Sequence, residues 1–392
     1  MADVDLSAYE GREQEYVKHF LLQKYLRDLG WKVGSAWDSI VYVDGFSGPW
    51  QTKRRDCSDS SFGTAIDVLR GVYLGLRERQ KNVNVSAYLV ERDKAAFDIL
   101  KAYAETQNSN GFSVVPMCGE FVRKIPSIEE MISKGHSNPF KFVFLDPTGW
   151  ADIPMDKLRP FLKNRSCEVL INLMTRHITR FLNEHDREDS YNALFGRLDV
   201  LKGLQSLKNA SLRADAAVKE YCISLKRLCG FKFVSSAVIC DPQKEEVRYH
   251  LVYATNHDKG VFVFKDAEIR AARLQDELRH EAKSLQDRNQ LELGFQSVSP
   301  RSRIVHQLRS RYLAKARCKV LDILRQGSGR VSYRELFCEA MSYPLVTPQD
   351  LDRQLKDLIP NIQFDLGGST SRKKPSPSEE DYIVVTNPSA IN

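Results

Sequence analysis

Over the first 175 residues the apolar positions alternate between two rhythms. Tyr16, Phe20, Leu21, Tyr25 and Leu29 recur at helical spacing and predict an amphipathic helix. A β-rich run over 39–47 follows and ends in a turn containing Gly45 and Gly48. The same alternation then repeats: a helix over 61–78, a strand over 84–91, a helix over 92–106, a strand over 112–118, a helix over 125–134, a strand over 141–146, a helix over 155–163 and a strand over 167–174. Strands separated by helices at this interval predict an α/β fold with a doubly wound, mostly parallel sheet.

Beyond Thr175 the pattern changes. Residues 177–228 read as polar helices inserted into the α/β unit. Two further strands, 231–239 and 247–255, complete the sheet as an antiparallel hairpin, and a short apolar run leads into a long charged helix. Residues 289–300, with Gly294, Ser297, Ser299 and Pro300, read as a linker, which divides the chain into an α/β unit over 1–290 and a tail over 301–392. The tail contains three short helices, the third with Thr347 as N-cap and Pro348 at its first position. A strand over 362–366, a loop from Gly367 to Asp381 and a strand over 382–386 follow, so three helices and a two-stranded ribbon give the layout of a winged helix.

Charge distinguishes the two parts. The chain of 392 residues carries a net +7, yet between Arg301 and Arg334 ten Lys/Arg face Asp322 alone, a segment of +9 that leaves −2 for everything else. Attraction for a polyanion such as DNA or RNA is therefore expected in the tail, at Arg309, Arg311, Lys315, Arg317 and, in the loop of the ribbon, Arg372, Lys373 and Lys374. The eight cysteines are dispersed, without a C-x-x-C pair or a Cys/His cluster at ligand spacing, so no metal centre is expected and the thiols read as reduced. No window holds the roughly 18 apolar residues of a membrane span, and the acidic, polar start is unlike a signal peptide. The expected location is cytoplasmic, without a membrane partner.

The residues with chemical potential stand at strand ends, where a doubly wound sheet binds its ligands. Asp44 closes the first strand, and Gly45-Phe46-Ser47-Gly48-Pro49-Trp50 turns sharply after it; this order is not the G-x-G-x-x-G of nicotinamide cofactors, which disfavours hydride transfer. Glu91 closes the second strand, where a carboxylate can accept hydrogen bonds from a ribose, and Glu120 follows the third. Asp146-Pro147-Thr148-Gly149-Trp150 follows the fourth. This run resembles the Asp/Asn-Pro-Pro-aromatic motif of class I methyltransferases that act on base amino groups, with Thr148-Gly149 in place of the second proline and aromatic and Trp150 as the ring on offer. Asn172, polar within an apolar strand, could orient the Asp146 loop, and Arg180 could bind a phosphate.

Taken in order over residues 14–180, the helix from Lys18 to Leu26, Asp44 to Trp50, Glu91, Asp146 to Trp150 and Ile171 to Arg180 resemble the three-Cys-motif partner (TcmP) family. Residues 251–260 look like that family's late strand and turn. The family's alanine and last glycine in the first loop are here Ser47 and Trp50, and Ser61-Phe62-Gly63 replaces its Gly-Ser-Pro. The resemblance implies a methyltransferase-like Rossmann sheet and S-adenosylmethionine as cofactor. In it Asp44, Gly45, Phe46 and Gly48 support the methionine part, Glu91 the ribose and Glu120 the adenine, while Asp146, Pro147 and Trp150 position the acceptor. It also implies a radical-SAM-type partner bearing three cysteines, in a setting of repair or phage defence.

Three readings stay open on the sequence. The first is a methyltransferase acting on nucleic acid, DNA before RNA. The second is a non-catalytic nucleic-acid-binding accessory protein that keeps the fold. The third is a metal-dependent nuclease using Asp44, Glu91 and Asp146, which share one sheet edge.

Overall fold

The computed structural model describes residues 6–48, 52–182, 187–292, 304–327, 329–368 and 371–390, and side chains everywhere in these except 6, 283–292 and 390. Helix α1 (Glu13–Gly34) leads into β1 (Ser39–Asp44), and the alternation continues through α2 (Ser61–Glu78), β2 (Asn84–Glu91), α3 (Lys94–Gln107), β3 (Phe112–Cys118), α4 (Phe121–Gly135), β4 (Phe140–Leu145), α5 (Met155–Leu162) and β5 (Cys167–Leu173). Helices α6 (Thr175–Arg180), α7 (Glu188–Phe195), α8 (Val200–Ser206) and α9 (Ala210–Cys229) form the helical insertion. Strands β6 (Phe233–Cys240) and β7 (Val247–Thr255) then close the sheet, and α10 (Asp258–Glu292) crosses back over it.

The seven strands lie in the order β3-β2-β1-β4-β5-β7-β6. Strands β1 to β5 are mutually parallel, and β7 runs antiparallel to both its neighbours, β5 and β6. This is an α/β architecture of Rossmann type. Both faces of the sheet are covered, which explains why its strands read as unbroken apolar runs. Along β1, Ile40 and Tyr42 join a core with α1, α2, α3 and α10, while Val41 and Val43 join a second core with α4, α5 and the helical insertion. The chain order β1-then-β4 makes the sheet reverse direction between them, opening a crevice at the carboxyl ends of β1, β2 and β4.

The apolar run 261–264 lies inside α10, where Val261, Val263 and Phe264 are buried against the sheet. That helix continues to Glu292, through the start of the expected linker; residues 293–300, like Arg301 and Arg303, lie outside the described residues.

The tail folds as α11 (Ile304–Gln326), β8 (Arg330–Ser332), α12 (Tyr333–Ser342), α13 (Pro348–Asp357), β9 (Ile362–Asp365) and β10 (Tyr382–Val385). Thr347 caps α13 as expected, its hydroxyl accepting from the Asp350 N–H in a capping box. The ribbon has three strands, ordered β8-β10-β9, and not two. The third is only three residues long, too short to show a period of two in the sequence.

The tail is packed onto the α/β unit. Phe233, Val238 and Cys240 of β6 share one apolar cluster with Ile304, Tyr312, Phe337 and Met341. The Ser235 hydroxyl donates to the Met341 carbonyl at 2.6 Å, and Lys265 donates to the Tyr343 carbonyl at 2.7 Å. Lys265 and Glu268 of α10 are both almost wholly buried and pair at 2.9 Å, and Glu268 also accepts from the Leu345 N–H. Burial pushes the Lys265 ammonium down and the Glu268 carboxyl up, each opposed by the partner's charge. Among the described residues, no helix is long and apolar enough to cross a membrane.

The Glu268→Ala variant leaves Lys265 buried without its carboxylate. Urea unfolding is expected to show a loss of about 3–5 kcal/mol, whereas an exposed control such as Glu130→Ala should change stability by less than about 1 kcal/mol.

Candidate functional site

The crevice at the carboxyl edge of the sheet contains a cavity of about 160 Å³. Its wall includes Gly45, Phe46, Glu91, Arg92, Gly119, Glu120, Phe121, Asp146 and Thr148. Four separate strand ends thus bring Gly45, Phe46, Glu91, Glu120 and Asp146 together. Pro147, Trp150 and the Asp44 side chain are not part of this wall.

Local chemistry explains each position. Gly45 sits where a Cβ would fall 2.7 Å from Leu145 and 2.9 Å from Phe121, so glycine lets the turn after β1 pass between β4 and α4. The Ser47 N–H donates to the Val90 carbonyl at 2.8 Å and the Gly119 N–H to the Glu91 carbonyl at 2.9 Å, which ties the turns after β1 and β3 to the end of β2. Gly119 has φ +139, a backbone state open to glycine. Gly48 is buried next to this turn, while Pro49 and Trp50 lie outside the described residues.

Asp44 is wholly buried beneath the turn. Its Oδ1 accepts from the Phe46 N–H at 3.0 Å, and its Oδ2 from the Tyr42 hydroxyl at 3.3 Å. Burial, with a smaller addition from the Asp146 charge, lifts its pKa to about 7, and the Phe46 N–H works the other way. Glu91 is buried at the end of β2, with Oε1 accepting from the Asp93 N–H at 2.6 Å. Glu120 is exposed at the start of α4 and pairs with Arg123 at 2.7 Å.

Asp146 is held from two sides. Its Oδ1 accepts from Asn172 Nδ2 at 2.7 Å, so Asn172 does orient this loop, and its Oδ2 pairs with Lys18 of α1. Lys18 also pairs with Glu15, which accepts from the Tyr249 hydroxyl at 3.3 Å. Burial opposes the Lys18 charge, but Asp146 and Glu15 together hold the ammonium above its ordinary range. Burial likewise opposes the Glu15 charge, and Lys18 outweighs it and holds the carboxyl below its usual value. Next to them, burial and the Lys18 charge push His19 down to about 3. Sequence reasoning assigned Lys18 and Glu15 no role. The available signal was a lysine in register with Leu21, Leu22 and Tyr25 on the apolar face of α1.

Trp150 lies apart from this arrangement. It is 6% exposed, its ring stacks on Tyr191 at 5.3 Å and its N–H donates to Ser190 at 2.9 Å, so it fastens the loop after β4 to the helical insertion.

In the tail, five of the seven expected phosphate contacts pair with carboxylates of the same chain. Arg309 pairs with Asp350, Arg311 and Lys315 with Asp215, Arg372 with Asp381, and Lys374 with Asp352. Arg317 and Lys373 are exposed, with no ion pair among the described residues. Among those residues no group of three or more His, Cys, Asp or Glu is arranged to hold a metal ion. No protein-family model matches the sequence, and none of the curated proteins matches it.

Because Asp44 has a folded pKa of about 7 against about 3.8 when unfolded, it stays protonated in the fold while the unfolded chain ionises. The wild type should therefore lose stability relative to Asp44→Asn as pH rises from about 4 to 7, with the gap level above that and on the order of 4 kcal/mol at most. Denaturation curves at pH 4, 5.5, 7 and 8 read this directly, and a gap that does not vary with pH contradicts it.

Proposed function

We propose that this chain is a methyltransferase-like protein of the three-Cys-motif partner kind, which binds S-adenosylmethionine at the edge cavity and acts on nucleic acid. The observation that carries the reading is the meeting of Gly45, Glu91, Glu120 and Asp146 at the crevice of a sheet ordered β3-β2-β1-β4-β5-β7-β6 with β7 reversed. That strand order is the one of the class I methyltransferase sheet.

The residues present fit the cofactor's nucleoside half. Glu91 Oε1 accepts from the Asp93 N–H, and among the described residues Oε2 has no partner and is left for a ribose hydroxyl, with Glu120 on the same wall. Gly45 and Phe46 would flank the methionine half. The volume of about 160 Å³ is below the roughly 300 Å³ at which ligand sites begin, so binding requires the cavity to widen. The cofactor supplies an electrophilic methyl group. Asp146, fixed by Lys18 and Asn172, is an acceptor for an N–H of the substrate and positions it.

The tail, with three helices and a three-stranded ribbon, is compatible with a winged helix. We assign its first contact with phosphates to Arg317 and Lys373, two exposed cations with no ion pair among the described residues. The paired arginines and lysines would join only by exchanging a carboxylate for a phosphate. DNA is favoured over RNA on the winged-helix layout alone.

Two observations favour the second reading, an accessory protein without methyl transfer. Both Asp146 oxygens are engaged within the chain, and the ring expected at the acceptor site is absent, since Trp150 packs on Tyr191. In that case the core would serve as a platform for a radical-SAM-type partner.

Calorimetric titration with S-adenosylmethionine and with its demethylated product tests the cofactor. Saturable binding is expected, weakened about 10- to 100-fold in Glu91→Ala through loss of a charged hydrogen bond. Binding that is undiminished in Glu91→Ala, or no heat at all, contradicts the proposal. For the tail, the double variant Arg317→Glu with Lys373→Glu should lower the slope of log affinity against log salt for duplex DNA by about 2. An unchanged slope places the contacts elsewhere.

A further inference from the structure

A second cavity, of about 300 Å³, lies on the other side of the helical insertion, where α9 meets the tail. One face of α9 provides Leu212, Asp215, Ala216, Lys219, Cys222, Ile223 and Lys226, at the spacing of a single helix stripe. Tyr312 and Lys315 of α11 and the Ser342–Pro344 segment after α12 face it, and Ser236 and His250 of the sheet form its floor. A cavity of this size between two structural units is a usual place for a small ligand.

Charge in the wall is uneven. Asp215 is shared by Lys315 at 2.6 Å and Arg311 at 3.3 Å and accepts from the Tyr312 hydroxyl at 2.8 Å, so this group holds one cation more than it neutralises. Lys219 and Lys226 line the cavity and have no ion pair among the described residues, and Glu339 is the one further carboxylate in the wall. Three wall cations, Lys219, Lys226 and Lys315, thus stand against two carboxylates, one of which, Asp215, is also paired with Arg311. The remaining wall is largely apolar, from Leu207, Ala216, Val218, Ile223 and Pro344.

The floor holds an incomplete polar group. His250 is 1% exposed, and its Nδ1 pairs with the Thr175 hydroxyl at 3.0 Å, but Nε2 has no hydrogen-bond partner among the described residues. Buried polar atoms are nearly always paired, and burial keeps this imidazole neutral by pushing its pKa down to about 4.

We propose that this cavity binds a small amphipathic acid, with its apolar body against Ala216 and Ile223 and its acidic head at Lys219 and Lys226. Its occupant would touch α9 and the tail at once and so stabilise their docked arrangement. The site is separate from the edge cavity and does not depend on the methyltransferase reading.

The test uses the full chain and two fluorescent probes with the same rings, anilinonaphthalenesulfonate and its neutral counterpart phenylnaphthylamine, with decanoate as a competitor. The sulfonate is expected to bind at one saturable site, to be displaced by decanoate, and to bind at least about tenfold more tightly than the neutral probe. Lys219→Glu with Lys226→Glu should cost the sulfonate about tenfold or more and leave the neutral probe within about twofold. Ala216→Trp, which fills the cavity, should abolish both, with circular dichroism confirming the fold. If that variant does not fold, the lysine variant decides. Equal affinity for the two probes, sulfonate binding unchanged by the lysine variant, or no saturable binding overturns the proposal.

Discussion

Lys18 is the constraint on which the candidate site depends. An ammonium buried in this way costs several kcal/mol to desolvate, and only two carboxylates at close range offset that. Glu15, one turn away, supplies the first, and Asp146 at the end of β4 supplies the second. The pairing fixes α1 against the carboxyl edge of the sheet. Tyr249 on β7 reaches Glu15 and Asn172 on β5 reaches Asp146, so the same network spans three strands and one helix. Removing Lys18 would leave two half-buried carboxylates facing each other with the buried Asp44 close behind.

The two cavities are electrostatic opposites. The edge cavity has Glu91, Glu120, Asp146 and Asp152 on its wall with Arg92 as its one cation, and Asp44 lies beneath it. An excess of carboxylates favours a cationic ligand, which a sulfonium cofactor is. The cavity under the tail has the reverse excess. That separation follows from topology: the carboxylates stand at strand ends on one edge, while the cations come from α9 and α11, which the sheet does not order.

Much of the fold was legible because both layers of helices leave clear periods in the sequence. Strand β2, strand β3 and helix α2 fall at the expected residues, and so does the cap at Thr347. Less was legible wherever the deciding contact is remote in sequence. The partnership of Lys18 with Asp146 spans 128 positions, and nothing local to either residue announces it. The ion pairs of the basic stretch after Arg301 were hidden for the same reason. Asp215, Asp350, Asp352 and Asp381, remote in sequence from their partners or outside the stretch, pair with five of the seven residues assigned to phosphate. Trp150 was read as a free ring because the helix that covers it, α7, follows some forty residues later. The tail reads as a separate unit, and its docking was not legible because the serines and the Lys265–Glu268 pair that dock it are scattered over β6 and α10.

The central claim is that the carboxyl edge of β1, β2 and β4 is a cofactor site held in shape by the Lys18 network. Amide hydrogen exchange of the full chain, with and without saturating S-adenosylmethionine, tests it most directly. The account predicts slowed exchange confined to residues 44–48, 91–93 and 118–121 on addition of the cofactor. An unchanged pattern, or protection that falls on α9 and the tail instead, would contradict it.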